Sequence, residues 1–414
     1  MSVESMCVGA VTDATARFNA KVTDGTSGIR VHIADNPEMA GAVATATETV
    51  NGYTAATCEI TGLTADTRYW WQVEDSGTLD TSTTGQFVTD PAPAGTPASF
   101  TIGLWGDAGL TPAYPGVGTQ VPHRSSFHPV FATIRERALA ERWRRIVSLG
   151  DEIYYNLGSG SFGLSADATV SQFRAQWDDI FLHEDRHALY RDAPWVYAWD
   201  DHDFGPNDSD STDPGRDNVT AVYRERCPSY DLPAGTGSNP IYHSFNIGRI
   251  LFVVSDTRSD RTDSTVLGAT QTTWLENTLN ASNAAALVWL MPTPWLGEHA
   301  DSWAGHTTER SELADLIADT GWSGRTTMLT ADIHAAAIAS GAANPYGGWP
   351  ITLCASVDAT TSGASGSQYD VSWRPGRGQY ATLRVDDLGS DIALTSSICR
   401  GSRSLAWHTL TVTT

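Results

Sequence analysis

Along the first 90 residues, apolar positions alternate with polar ones instead of recurring at helical spacing. Residues 14–22 (ATARFNAKV) and 28–33 (GIRVHI) alternate, and 67–74 (TRYWWQVE) concentrates aromatic and β-branched side chains between turn residues. About seven short strands of this kind predict an all-β sandwich. The prolines of 90–97 (DPAPAGTP) oppose both helix and sheet. The expected division is therefore a sandwich over 1–92, a linker over 93–98 and a second domain over 99–414. In that second domain short apolar runs at 99–104, 145–149, 195–199, 250–254, 287–291 and 326–330 predict strands. Helical patterns are expected at 127–144, 169–190, 271–279 and 309–320. Strands interleaved with helices predict a layered α/β core with central mixed sheets. The tail, 379–414, predicts three strands with no helix between them.

Composition narrows the class. Hydrophobic residues make up 41% of the 414, enough for a sizeable core. Acidic residues outnumber basic ones, 48 to 26, for a net charge of -22. Such a surface repels a phosphate backbone, so nucleic acid is not expected as a tight partner. A small anionic substrate would need a local cationic device, and bound metal supplies one. Cys7, Cys58, Cys227, Cys354 and Cys399 show no C-x-x-C spacing, which argues against a thiolate zinc site. Cys7 and Cys58 share the sandwich and could pair in an oxidising compartment. Residues 1–10 lack a basic and then apolar leader pattern, and no apolar run approaches the ~18 residues of a membrane span. Compartment and oligomeric state are left open.

Four acidic motifs follow four expected strands: WGDAG at 105–109, LGDEIY at 149–154, WDDHD at 199–203 and TADIH at 330–334. Ligands of open α/β sheets gather at the carboxyl ends of strands, so these loops are expected to converge. Carboxylates sharing one cleft repel, and a multivalent cation turns that repulsion into coordination. Carboxylates with a few imidazoles suit calcium, manganese, iron or zinc. Two ions about 3.5–4 Å apart can clamp a phosphoryl displacement. Asp151 is the natural bridge. Asp107, Tyr154 and His334 would complete one side, and Asp201 and Asp332 the other. A phenolate at Tyr154 favours ferric iron.

These motifs resemble those of calcineurin-like and purple acid phosphatases, and more closely those of the alkaline phosphatase D family. GDEIY at 150–154, WDDHD at 199–203, SDTRSDR at 255–261 and QTTWLENTL at 271–279 look like that family's segments in its order. They lie within a resemblance over roughly residues 100–340. The stretch GLTADTRY at 62–69 resembles a fibronectin type III corner, so a fibronectin-like sandwich before a metallophosphoesterase domain is implied. The resemblance also implies hydrolysis of phosphomonoesters and phosphodiesters by metal-bound hydroxide, iron (Fe3+) and calcium as cofactors, a small phosphate-ester substrate, and export. His202 matches the histidine facing the leaving group and is the expected general acid. Arg258 and Arg261 match a basic pair suited to phosphate capture. The chain departs from related sites, beginning with DDHD at 200–203 where calcineurin-like enzymes usually have Gly-Asn-His-Glu. Asp332 stands where a histidine is usual, no cysteine lies between Cys58 and Cys227 to serve as an iron ligand, and only His299 and His306 offer themselves for the extra purple acid phosphatase histidine.

Plainer readings stand beside these. Asp107 could cap a turn, and Asp151 with Tyr154 could be a helix start and a core tyrosine. Asp200 and Asp203 could orient Asp201 or His202 instead of binding metal. Asn207 could supply an oxygen or end the Gly205-Pro206 turn. Asp332 and His334 alternate, so they converge only if the strand has ended. Arg258 could pair with Asp256 or Asp260. Trp105, Trp195, Trp295 and Trp303 could wall a substrate cleft, with core packing as the default. His183 and His187, four apart on one expected helix, lack a third zinc ligand, and no nucleophile elbow or P-loop is present. The competing function is a non-catalytic adhesion module stabilised by calcium. For such a scaffold His202, His334 and the Arg258/Arg261 pair would be superfluous.

Overall fold

The apolar runs become strands buried on both faces. In the computed structural model, which describes residues 3–23, 28–108, 128–152, 168–181, 183–354, 356–358 and 367–414, Phe100–Trp105, Arg145–Leu149 and Trp195–Ala198 lie side by side and parallel. Leu104, Val147, Leu149 and Val196 turn to one face, Trp105, Ile146, Trp195 and Tyr197 to the other. Burial on both sides is why these segments read as continuous apolar runs.

These strands are the centre of a nine-stranded mixed sheet. Its order is Arg403–Thr413, Asp391–Arg400, Gln379–Asp387, Phe100–Trp105, Arg145–Leu149, Trp195–Ala198, Val3–Gly9, Thr15–Val22 and Ala55–Thr61. A seven-stranded sheet packs on it, ordered His243–Ile247, Ile250–Val254, Ala286–Leu290, Thr326–Thr330, Ile351–Cys354, Ala335–Ala339 and Ser372–Pro375. Phe252, Val288 and Leu329 of the second sheet meet Leu104, Val147 and Leu149 of the first in a shared core. Val130–Ala140, Val170–Ile180, Glu184–Asp192 and Arg216–Arg226 cover the outer face of the first sheet. Gly268–Ala281 and Thr307–Asp319 cover the second. The layering is helix, sheet, sheet, helix. No helix among the described residues is long and apolar enough to cross a membrane.

The first 90 residues are all-β. Opposite Val3–Gly9, Thr15–Val22 and Ala55–Thr61 stands a second sheet of Val43–Ala44, Ile29–Ala34, Arg68–Asp75 and Thr78–Leu79, with Gly85–Val88 also pairing Arg68–Asp75. Phe18, Trp71 and Phe87 fill the space between. This sandwich shares a sheet with the rest of the chain through the parallel bridge of Gly9 to Trp195. The proline-rich linker is held as well. Asp90 and Arg145 form a wholly buried ion pair at 2.9 Å, and Gly95 N donates to Gly248 O at 2.7 Å. Cys7 and Cys58 do not pair: Cys7 packs with Trp195 and Tyr197, Cys58 with the sandwich core, on opposite faces of one sheet.

Several element boundaries differ from expectation. The single helix expected over 169–190 is two, because His183 takes extended backbone (φ -87°, ψ 124°) and Glu184 and Asp185 start a new first turn. The helix expected to reach residue 144 stops at Ala140, and Arg142 takes φ 54°. Arg216–Arg226 and Ala335–Ala339 had no expected element, since one is largely polar and the other mostly alanine.

His187 is a structural joint, not half a zinc site. Its Nε2 accepts the N–H of Met6 at 3.2 Å, tying the first strand of the sandwich to the helix Glu184–Asp192. Burial, aided by Arg191, pushes its pKa down to about 4. The folded state thus disfavours the proton that the unfolded chain accepts near pH 6.5. This contribution is complete above that pH and is lost as pH falls toward 4, by up to about 3 kcal/mol. Urea denaturation at pH 7 and pH 4.5 is expected to show a smaller acid loss in His187→Gln than in the wild type. Equal losses would remove His187 from the acid response.

Candidate metal centre

Each acidic motif lies where a strand runs out. Phe100–Trp105 leads to Asp107, Arg145–Leu149 to Asp151, Trp195–Ala198 to Asp201, and Thr326–Thr330 to Asp332 and His334. Asp107, Asp151, Asp332 and His334 all take left-handed backbone, with φ of 51°, 55°, 80° and 53°. Such angles are uncommon outside glycine and recur at functional sites. They also answer the alternation question, since the strand ends at Thr330 and both later side chains reach the cluster. Gly150 (φ 81°) makes the fit possible, because a Cβ there would lie 2.4 Å from Cβ of Asp200.

Ligand-type atoms of Asp107, Asp151 and His334 lie within 4.8 Å of one another. So do those of Asp151, Asp201 and His202, and those of Asp200, Asp201 and Asp332. Asp151 is thus common to two neighbouring groups. Asp201, His202, Asn207, His299, Asp332 and His334 line a cavity of about 360 Å³ above the buried Asp107 and Asp151. His306 instead bonds Thr262 O at 2.9 Å. Tyr154 lies outside the described residues.

The electrostatics of this cluster are unfavourable for protein alone. Neither oxygen of Asp151 or Asp107 meets a hydrogen-bond donor of proper geometry, although the N–H groups of His334 and Asp332 lie near Asp107 and ease its charge. Burial, with Asp201 and Asp107 next, raises Asp151 well above the usual carboxylate range. Burial and the charge of Asp200 do the same to Asp107, and burial with Asp200 and Asp201 to Asp332. Burial pushes Asp200 up to about 7 despite Arg258. Buried carboxyl oxygens crowded together and lacking donors match what a multivalent cation needs. The donor set of carboxylates with one or two imidazoles fits hard or borderline ions.

The surrounding residues hold this geometry. Asp203 Oδ2 accepts the N–H groups of Asp151 (2.7 Å) and Asp200 (3.1 Å), so it braces two loops instead of offering a ligand. Asp201 Oδ2 accepts Asp208 N at 2.7 Å. Glu152, fully buried, accepts Trp105 Nε1 (2.6 Å) and Tyr190 OH (3.0 Å) and pairs with Arg186, which anchors the residue after Asp151. Trp105, Trp195, Trp295 and Trp303 are buried core residues.

Both members of the expected phosphate pair are engaged with carboxylates. Arg258 is wholly buried. Its Nε donates to Asp200 Oδ1 at 2.5 Å, and its two terminal nitrogens grip Asp301 at 2.9 and 2.8 Å. Its guanidinium pairs with neither Asp256 nor Asp260, although its backbone N–H donates to Asp256 Oδ1 at 3.1 Å. Arg261 is turned to Asp301 as well, at 3.0 Å. Against the cost of its burial, Arg258 and then Arg261 hold the Asp301 carboxyl at about 2. Asp208 and Asp301 complete a further close group with Asp201. Asp301 went unnoticed in the sequence, because it sits alone in a long loop without a motif.

The comparisons with known proteins agree with this architecture. Residues 122–372 match the family described as PhoD-like phosphatase, and the chain belongs to that family. Alkaline phosphatase D of Bacillus subtilis (strain 168) is 24% identical over 335 residues, covering 67% of this chain and 55% of that protein. Purple acid phosphatase 23 of Arabidopsis thaliana is 25% identical over 265 residues, covering 62% and 52%. The chain therefore spans about half the length of the curated relatives it matches. A solved structure of PhoD superposes with a TM-score of 0.76 at 17% identity, over 99% of this chain and 92% of that one. Purple acid phosphatase PPD1 from yellow lupin gives 0.62 at 14% identity, over 99% and 73%. Both show a shared metallophosphoesterase-like α/β fold.

Removing Arg258 would strand the buried carboxylates of Asp200 and Asp301. Arg258→Ala is expected to lose about 3–5 kcal/mol of stability in urea denaturation. A variant of wild-type stability with only a raised KM would instead return Arg258 to the substrate.

Proposed function

We propose that this chain is a metal-dependent phosphoesterase acting on small phosphomonoesters or phosphodiesters at the acidic cavity. The observation that supports it most is the position of Asp151, a buried carboxylate shared by two adjacent groups of ligand atoms in a PhoD-like phosphatase. One ion would take Asp107, Asp151, Tyr154 and His334. The other would take Asp151, Asp201, Asp332 and Asn207. Held there, two such cations would polarise phosphoryl oxygens and acidify water. Iron and calcium are the pair that the alkaline phosphatase D resemblance favours, and zinc or manganese suit the same donors.

The chain's own groups do the rest. His202, lining the cavity beside Asp201, would give a proton to the leaving oxygen. Arg258 and Arg261 act behind the site as countercharges that position Asp200 and Asp301. The net charge of -22 keeps long polyanions away and favours short substrates. We read the N-terminal unit, residues 1–92, as fibronectin type III-like, because three strands face a sheet built on Ile29–Ala34 and Arg68–Asp75. Residues 93–98 then form the linker, and 99–414 the catalytic domain.

Hydrolysis of a chromogenic phosphate ester by protein supplied in turn with iron plus calcium, zinc and manganese tests this reading. Wild type is expected to turn over, and Asp151→Asn to lose at least about 10³-fold together with its ions. His202→Ala is expected to lose about 10²–10⁴-fold while keeping its ion content. If wild type and Asp151→Asn are equally inert with every metal, the chain is not a phosphoesterase.

A further inference from the structure

The acidic cavity is small. At about 360 Å³ it is about 7 Å across, less than the ~8 Å over which physiological salt screens a charge. A fixed charge on its wall therefore acts on any phosphoryl group inside. Among the described residues no lysine or arginine lines it. Arg258 and Arg261 lie behind, engaged with Asp200 and Asp301. On the wall itself Asp301 is neutralised by that pair, and Asp201 and Asp332 fall to the proposed ions. One carboxylate is left over. Asp208 lines the cavity, and its carboxylate has no ion-pair or hydrogen-bond partner among the described residues. One of its oxygens nonetheless lies within 4.8 Å of ligand-type oxygens of Asp201 and Asp301. The loop holds it there. Asp208 N donates to Asp201 Oδ2 at 2.7 Å, Ser209 Oγ to Asp201 O at 2.8 Å and Ser209 N to Pro206 O at 2.9 Å.

We propose that Asp208 is a charge filter, which biases the cavity toward phosphodiesters and against phosphomonoesters. A diester carries one negative charge, whereas a monoester carries two above about pH 6. The reaction side of this inference rests on the phosphoesterase reading, and the binding side does not. Four carboxylates, Asp107, Asp151, Asp201 and Asp332, would cancel two divalent ions, and a phenolate at Tyr154 would cancel the third charge of a ferric one. The loaded site is thus close to neutral before Asp208 is counted, and Asp208 makes its mouth negative. A second substrate charge about 7 Å from that carboxylate costs about tenfold in affinity. Ala300 and Ile333 lie on the same wall and give an apolar surface that suits the second ester group of a diester better than a bare oxygen.

Asp208→Asn isolates the charge. Asp208 takes left-handed backbone (φ 60°), which asparagine tolerates as aspartate does, and it is exposed, so the variant is expected to keep the wild-type melting midpoint. Two probes without an ester bond read binding by isothermal titration of the metal-replete full chain at about pH 8.5. Phenylphosphonate is a dianion there, and methylphenylphosphinate, with a methyl in place of one oxygen, is a monoanion. The variant is expected to bind phenylphosphonate about tenfold more tightly and the phosphinate within about twofold of wild type, with unchanged ion content. In turnover, the ratio of kcat/KM for bis(p-nitrophenyl) phosphate to that for p-nitrophenyl phosphate is expected to fall about tenfold. Equal affinity of wild type and variant for phenylphosphonate would overturn the proposal and leave the hydrolytic reading intact. An equal gain for both probes would overturn it too, since charge would not be what is read, and so would loss of ions from the variant, which would make Asp208 a ligand. If neither protein cuts either ester while the phenylphosphonate gain is present, the filter stands and the hydrolytic reading falls.

Discussion

Mutual repulsion among buried carboxylates is the constraint around which this molecule is organised. Asp107, Asp151, Asp200, Asp201 and Asp332 fall in overlapping groups whose ligand atoms lie within 4.8 Å, and several of their oxygens meet no donor. A protein interior raises the cost of each such charge, so the arrangement persists only with positive charge supplied from outside the chain or from within it. Arg258 supplies one such charge from behind. Its place between Asp200 and Asp301 leaves the front of the cluster, where Asp151 lies, for cations.

The fold makes this crowding possible by packing two sheets face to face, so that strand ends from both open on one edge. Trp105, Leu149 and Ala198 end three neighbouring strands of one sheet, and Thr330 ends a strand of the other. The large shared core gives the rigidity to hold four residues in left-handed backbone. Asp203 and Glu152 then lock the loops to each other and to the helical layer. The sandwich contributes to the same frame, since its first strand continues the nine-stranded sheet next to Trp195–Ala198.

Much of this was legible in the residues. Buried parallel strands announce themselves as apolar runs, and Arg145–Leu149, Ile250–Val254 and Thr326–Thr330 fall where expected. An acidic residue just beyond such a run is visible without a structure, and so is the convergence of those ends. Local pattern could not reveal which charges would meet. Nothing local could pair Arg258 with Asp200 and Asp301, which are 58 and 43 residues away. Ala335–Ala339 was illegible because alanine favours helix, and only its place between two strands makes it extended. The helix break at His183 was hidden by uninterrupted helical periodicity on either side.

Anomalous diffraction from crystals of the metal-loaded chain, collected at the absorption edges of candidate ions, probes the organising constraint most directly. Two peaks should flank the Asp151 carboxylate, one beside Asp107 and His334 and the other beside Asp201. A single isolated peak, or none with those carboxylates still clustered, would mean that the repulsion is relieved by protons and that no dinuclear centre forms.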